Sequence, residues 1–168
     1  MPRDRSEIRH RILGTMYTTT TYGMWLRGDA RGYVQDGRTY PANLAVEAMD
    51  RARLQHPPFE FNSWDCHSVG EWIGRALCER LALKLLALTV RTWHIHFVVA
   101  ETTVAPPTIS KCVKDTVRFH LKPSRPIWSD GYDKRFCFDE AALQARIAYV
   151  EQHNIEDGQE PKPWEFLR

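Results

Sequence analysis

Four side chains in this 168-residue sequence have types and spacings that suit metal-assisted chemistry. His94 and His96 are one residue apart in the apolar run RTWHIHFVVA, and Tyr149 and His153 are four residues apart in RIAYVEQHN. Alternate side chains of a β-strand share a face, so two imidazoles can direct their nitrogens at one divalent cation. Residues four apart lie on one face of a helix. The pattern therefore predicts a pair of imidazoles on a strand and a phenol beside a third imidazole on a helix.

Each half of this pattern also has a plainer interpretation. A strand can carry two half-exposed histidines that bond to neighbouring carbonyls, and most tyrosines on helices are packing residues with a solvated hydroxyl. The chemical interpretation depends on the two halves meeting in the fold.

The elements that must position these residues can be predicted from periodicity and caps. A Thr- and Tyr-rich strand ends near Gly23, and a Ser68/Glu71 capping box opens a helix that runs to about Leu83. Two strands follow, near residues 84–91 and 93–101. Pro106 and Pro107 open a further helix, which ends at Pro123. RFCF forms a short strand, and Asp139 caps a helix over residues 140–154. This order predicts the α+β class, with a ferredoxin-like (RRM-like) antiparallel sheet and helices packed on it.

The length and the 43% hydrophobic content predict a single domain over residues 1–168, with a core at about 12–158. A stretch at about 28–65, rich in Gly, Pro and Asp, is interpreted as a loop insertion with one short helix near 44–54. Residues 159–168 form a tail in which Trp164 and Phe166 are expected to dock on the body. No apolar run is long enough to cross a bilayer, so a cytoplasmic protein is expected. The four cysteines form no CxxC pair, which favours free thiols.

Basic residues indicate where a nucleic acid could bind. The predicted helix after Pro107 carries four cations at steps of three, four and four, on the side opposite its apolar residues. Such a stripe can follow phosphates, although a solvated surface helix is the alternative. Arg9 and Arg11 belong to a second basic cluster, and Tyr22 and Trp25, beside Gly23, could stack on unpaired bases, although core packing is equally open to Trp25. The stripe consists of Lys111, Lys114, Arg118 and Lys122.

Taken together, these features resemble the single-tyrosine HUH transposases, in particular the REP-associated tyrosine transposases. Three segments carry the resemblance: MYTTTTYGMWLRGD, WHIHFVV, and RPIWSDGYDKRFCFDEAALQARIAYVEQHN. They resemble the family's opening strand and glycine turn, its His-hydrophobic-His strand, and its tryptophan-led hairpin followed by the helix of the nucleophile. Two positions depart from the family pattern, because Trp93 stands where Asn is common and Asn154 is followed by Ile155 instead of Pro.

The resemblance implies the HUH endonuclease fold and metal-dependent cleavage and rejoining of single-stranded DNA. It implies Tyr149 as the nucleophile that forms a 5′-phosphotyrosine link, and His94, His96 and His153 as metal ligands. Single-stranded or hairpin DNA is the expected partner, and the protein is expected to act as a monomer or a homodimer. Mg²⁺ or Mn²⁺ is the cofactor that the family implies. Three nitrogen ligands favour Mn²⁺ over Mg²⁺ on ligand chemistry, with Zn²⁺ or Co²⁺ as possible tight binders.

Two other functions stay open from the sequence. One is a domesticated nucleic-acid-binding protein with this fold that does not cut. The other is a small His-ligated metallohydrolase in which a zinc-bound water, and not Tyr149, is the nucleophile.

Overall fold

The computed structural model describes residues 11–168 of the protein. Its strands are β1 (Gly14–Thr20), β2 (Tyr33–Gln35), β3 (Arg38–Tyr40), β4 (Leu85–Val90), β5 (His94–Ala100) and β6 (Asp133–Cys137). Its helices are α1 (Leu44–Ala52), α2 (Cys66–Arg75), α3 (Pro106–Leu121) and α4 (Glu140–Glu156). A π-helical turn, Ala76–Arg80, extends α2, and a short 3₁₀ turn, Glu165–Leu167, lies near the C-terminal end.

Four strands form one antiparallel sheet in the order β4-β5-β1-β6. β1 is therefore central and pairs with β5 so that Thr18 lies opposite His96 and Thr20 opposite His94. Apart from β2, β3 and α1, the elements follow one another as strand, helix, strand, strand, helix, strand, helix. The predicted α+β class and ferredoxin-like arrangement are thus confirmed.

The two faces of the sheet are covered by different helices. One face, which includes Tyr17, Ile95 and Phe97, packs against α2 and α3 in the larger core cluster. The other face, which includes Met16 and Val98, packs against Leu143 and Val150 of α4 in a smaller cluster. Because side chains alternate along β5, His94 and His96 share the face of Val98. The two histidines therefore lie on the side of the sheet that α4 covers.

The helix after the insertion begins earlier than the sequence predicts. Asp65, not Ser68, is the residue before α2, and it makes no capping bond through its side chain. Ser68 lies inside the helix, and Glu71 forms an ion pair with Arg75 one turn later at 2.7 Å. The predicted capping box is therefore wrong, because its serine is not at the helix terminus, where backbone N–H groups need a partner.

The stretch predicted as a loop insertion contains regular structure. The predicted short helix is α1, and its first turn is capped by the side chain of Asn43, which accepts from the backbone N–H of Val46 at 3.2 Å. The β2–β3 hairpin was not predicted. It turns at Asp36 and Gly37, which both have positive φ angles of 50° and 73°. An Asp-Gly dipeptide favours this kind of tight turn.

The C-terminal segment packs back onto α2. Trp164 is buried, and its indole N–H donates to the backbone carbonyl of His67 at 3.0 Å. A Cβ atom at Gly70 would lie 2.0 Å from the ring of Trp164, and one at Gly74 would lie 2.0 Å from the ring of Phe166. Two glycines one helical turn apart thus make room for two aromatic rings. Within residues 11–168, no helix is both long and apolar enough to span a membrane.

Candidate active site

The histidine pair is fixed by the tight hairpin that joins β4 to β5. The backbone N–H of Arg91 donates to the carbonyl of His94 at 2.9 Å and closes the turn. The rings of His94 and His96 lie on the same face with their centroids 4.6 Å apart, and both side chains are buried, at 4% and 7% exposure. The strand therefore presents the two imidazoles as the sequence predicts.

The third histidine arrives from α4. Asp139 caps this helix as predicted, accepting from the backbone N–H of Ala142 at 2.7 Å. The ring of His153 lies 5.8 Å from that of His94 and 5.1 Å from that of His96, between centroids. One potential ligand atom from each of the three residues lies within 4.8 Å of the other two. The structure thus brings together the three histidines that the family resemblance implies as metal ligands.

Two polar residues hold α4 at this position. The buried amide of Asn154 donates to the carbonyls of Leu88 in β4, at 2.9 Å, and Pro161, at 3.0 Å. Arg91 pairs with two acids at the end of α4, Glu156 at 2.8 Å and Asp157 at 2.9 Å. Both contacts join the C-terminal turns of α4 to the hairpin that carries His94 and His96.

The imidazoles on β5 are held in their neutral form. The pKa of His94 is lowered to about 2, chiefly by burial and then by the charges of neighbouring groups, of which His96 and His153 are the largest. Burial likewise lowers the pKa of His96 to about 3, with His153 and Arg91 as the next causes. A neutral imidazole keeps a lone pair on one nitrogen, which is the form that binds a metal ion.

Hydrogen bonds orient two of the three rings. Nδ1 of His96 lies 2.8 Å from the hydroxyl of Thr18, and Nδ1 of His153 donates to the backbone carbonyl of Tyr149 at 2.9 Å. These bonds leave Nε2 of each ring for another partner, as is usual for metal-binding histidines. The buried Nδ1 of His94 has no hydrogen-bond partner among the described residues. Neutral, oriented nitrogens with an unsatisfied buried member fit a divalent cation.

Tyr149 lies beside this cluster at the protein surface. Its ring centroid is 4.6 Å from that of His153 and 5.6 Å from that of His96, and 45% of the residue is exposed. The phenol is therefore accessible to a large substrate while it remains next to the histidines.

The site opens into a cleft of about 770 Å³ between α4, the β1–β2 loop and the loop before β6. Five arginines line the cleft, and four of them form ion pairs with carboxylates. Arg146, one turn before Tyr149 on α4, has no ion pair among the residues that the structure describes. The four paired arginines are Arg27 with Asp50, Arg31 with Asp29, Arg91 with Glu156 and Asp157, and Arg135 with Asp133.

The basic stripe that the sequence predicts lies elsewhere. α3 packs on the opposite face of the sheet from the histidines, and none of the four stripe residues lines the cleft. Lys111 and Arg118 both form ion pairs with Asp115. Lys114 donates to the carbonyls of Ser129 and Gly131, and its burial, followed by the charge of Arg118, lowers its pKa. Contact of Lys111, Lys114, Arg118 and Lys122 with DNA stays a prediction.

Two other predicted DNA contacts, Tyr22 and Arg11, also lie away from the histidines. The hydroxyl of Tyr22 accepts from the backbone N–H of Gln55 at 3.1 Å, and Tyr22 does not line the cleft. Arg11 pairs with Glu101 at the opposite end of the β1–β5 pair from His94. Arg9 lies outside the described residues. Sequence reasoning missed the arginines of the cleft and Thr18, because their positions depend on strand register and on the β1–β2 loop.

Comparison with known proteins bears on the fold. No family model matches the chain, and no curated protein matches it either. Among solved structures, it is similar to a REP-associated tyrosine transposase bound to a REP hairpin. That match has a TM-score of 0.54 and 7% sequence identity, and it covers 88% of this chain and 70% of the other. A putative transposase from Deinococcus radiodurans R1 matches with a TM-score of 0.43 and 17% identity, over 95% of this chain and 99% of the other. The resemblance to the single-tyrosine HUH transposases is thereby confirmed as a likeness of fold.

Proposed function

We propose that the protein is a metal-dependent single-stranded DNA endonuclease and strand transferase, a transposase that uses Tyr149 as its nucleophile. The observation that supports this most strongly is the meeting of His94, His96 and His153, with Tyr149 one helical turn from His153. Strand β5 and helix α4 are far apart in the sequence. Folding brings their side chains together.

The proposed reaction is an in-line displacement at a backbone phosphorus. The phenolic oxygen of Tyr149 bonds to phosphorus, the bond from phosphorus to the 3′ oxygen breaks, the phenol loses its proton and the 3′ oxygen gains one. The products are a 5′-phosphotyrosine link and a free 3′-hydroxyl, and the reverse reaction rejoins a strand. A phenol is a weak nucleophile at neutral pH, and the anionic phosphodiester repels attack, so the site must supply positive charge and alignment.

Part of that charge would come from a bound cation. His94, His96 and His153 would hold it, and when bound it would neutralise charge on the phosphate oxygens. A site with three nitrogen ligands is softer than a usual magnesium site, so we expect Mn²⁺ to support activity better than Mg²⁺ in vitro. Thr18 would orient the His96 ring, and the backbone carbonyl of Tyr149 would orient the His153 ring.

The remaining positive charge would come from the protein itself. Arg146 is three residues before Tyr149, on the same side of α4, and its guanidinium lacks a carboxylate partner in the described part of the chain. An arginine of this kind suits a phosphate oxygen, to which it can donate two hydrogen bonds. We propose that it contacts the DNA backbone close to the nucleophile.

We propose hairpin DNA with an unpaired flank as the substrate. The solved REP-associated transposase is bound to a REP hairpin. In this chain the cleft at Tyr149 suits an unpaired strand, because the phosphate must reach an imidazole cluster that is itself buried.

The test compares the wild type with Tyr149→Phe on labelled DNA hairpins that carry single-stranded extensions. Their sequences are taken from the genomic DNA on either side of the gene that encodes the protein. Each protein is incubated with Mn²⁺, Mg²⁺ or EDTA and run on a denaturing gel. We expect a metal-dependent band of DNA linked to protein in the wild type, and no such band in the variant. Phenylalanine lacks only the hydroxyl of tyrosine, so this substitution removes the proposed nucleophile and keeps the packing of the ring.

Two other results would contradict the proposal. Binding without a covalent band from either protein would indicate a nucleic-acid-binding protein that does not cut. Equal cutting by both proteins would indicate a metallohydrolase with a water nucleophile, which the three nitrogen donors would also suit.

A further inference from the structure

A second group of side chains lines the cleft beside His94. The guanidinium of Arg31 lies against two indole rings, 4.7 Å from the ring centroid of Trp25 and 4.4 Å from that of Trp93. The two indoles are 6.0 Å apart and inclined by 62°. We call these three residues the Trp25–Arg31–Trp93 cluster.

This cluster is held in place by its own hydrogen bonds. The indole N–H of Trp25 donates to the carbonyl of Gly32 at 2.8 Å. Arg31 donates to both carboxylate oxygens of Asp29, at 2.7 and 2.6 Å, and Asp29 is itself buried. A two-pronged bond of this kind fixes the plane of the guanidinium. The Trp25 ring and the Arg31 guanidinium are therefore oriented before any ligand binds.

The cluster is also exposed to the cleft and adjacent to the metal site. Trp25 is 38% exposed, and both tryptophans line the cleft. The ring of Trp93 lies 3.9 Å from that of His94. Trp25 contacts Trp93, and Trp93 contacts His94, so a molecule stacked on Trp25 would lie close to the histidines.

We propose that the Trp25–Arg31–Trp93 cluster is a subsite on which an unpaired nucleobase stacks, next to the nucleotide whose phosphate reaches Tyr149. This inference rests on the proposed function. Any base can stack on an indole face, and arginine planes also stack on bases, so the subsite would favour unpaired over paired DNA without reading one sequence.

The charges of the cluster favour a base over other ligands. Asp29 already neutralises Arg31, so the cluster offers a phosphate little net charge. A cationic ligand, which aromatic rings often bind, would have to compete with Arg31, because Arg31 already lies against both rings. An uncharged, planar, aromatic group is the ligand that remains.

The test uses the full chain with Tyr149→Phe, which prevents cleavage, and fluorescence anisotropy with single-stranded DNA. Trp25→Leu keeps an apolar side chain but removes the aromatic face, whereas Trp25→Phe keeps an aromatic face. We expect the Leu variant to bind roughly tenfold more weakly or worse, and the Phe variant to keep most of the affinity. The matched control is Trp64→Leu, since Trp64 is 88% exposed and does not line the cleft.

A second measurement separates stacking from a structural role. An abasic nucleotide is placed at successive positions of the oligonucleotide. With Trp25 present, we expect one position to weaken binding strongly, and we expect that position to lose its effect in the Leu variant. If the cluster only supports the fold, Trp25→Leu should weaken the binding of every oligonucleotide by the same factor, whatever the position of the abasic nucleotide. That result would overturn the inference.

The outcomes also distinguish this inference from the proposed function. If the parent protein binds single-stranded DNA but Trp25→Leu binds it equally well, the subsite is refuted while the proposed function stands. If the parent protein binds no single-stranded DNA at all, the proposed function fails, and the subsite fails with it. If the Phe and Leu variants lose affinity equally and keep the same abasic profile, the cluster is structural.

Discussion

Asn154 provides the clearest test of how α4 is held beside the sheet. It is 1% exposed, and its amide nitrogen donates to the carbonyls of Leu88 and Pro161. Asn154→Ala removes both bonds and leaves two carbonyl oxygens without this donor. A net contribution of about 1 kcal/mol for each of the two bonds, with a further cost of roughly 1–3 kcal/mol where a buried acceptor stays unpaired, gives a loss of about 3–5 kcal/mol.

The assay is urea unfolding followed by circular dichroism, in EDTA so that metal binding does not contribute. Gln152→Ala is the control, because Gln152 is exposed on the same helix, and we expect its free energy of unfolding to change by no more than about 0.5 kcal/mol. The slope of unfolding free energy against urea should stay unchanged, so that the midpoint alone shifts. A loss below about 1 kcal/mol for Asn154→Ala would refute the view that this amide anchors the helix.

Three further predictions concern the site. Thr18→Val keeps the shape of the side chain but removes the hydroxyl beside Nδ1 of His96, so the affinity for Mn²⁺, measured by calorimetry, should fall by roughly 10–100-fold. Arg146→Gln should weaken the binding of single-stranded DNA, and the slope of log affinity against log salt concentration should fall by about one, the value for one lost phosphate contact. The control is Arg135→Gln, which removes a charge already paired with Asp133 and should change the affinity and the slope much less. The third prediction concerns pH: because the pKa values of His94 and His96 lie far below the ordinary 6.5, the unfolded chain binds protons that the folded chain excludes, so metal-free stability should fall as the pH is lowered through 6.5. His96→Gln should make that fall shallower.

The sequence predicted the elements whose signals are local. Asp139 was recognised as the cap of α4 because an aspartate preceded a helical pattern, and the strands around the β4–β5 turn were recognised by their β-branched residues. The convergence of Tyr149 and His153 with His94 and His96 depended on the resemblance to a known family, because spacing alone does not bring two distant segments together.

The remaining features depend on contacts between distant parts of the chain. The Asp36-Gly37 turn lay within a long polar stretch, in which two three-residue strands give little periodic signal. The carboxylate partners of the cleft arginines cannot be read from local spacing when the acid comes from another element, as Asp50 does for Arg27. The anchoring role of Asn154 likewise depends on how α4 lies against β4.

The two aromatic rings that follow α4 have a consequence for how copies of the chain could share a site. After α4 the chain passes from one face of the sheet to the other, contacts the edge strand β4, and places Trp164 and Phe166 against Gly70 and Gly74 of α2. A copy that gave its α4 to a neighbour would have to pull both rings out of this groove or exchange them as well. Burial of side chains this large contributes several kcal/mol, so the geometry favours an arrangement in which Tyr149, the nucleophile that we propose, lies beside the histidines of its own chain.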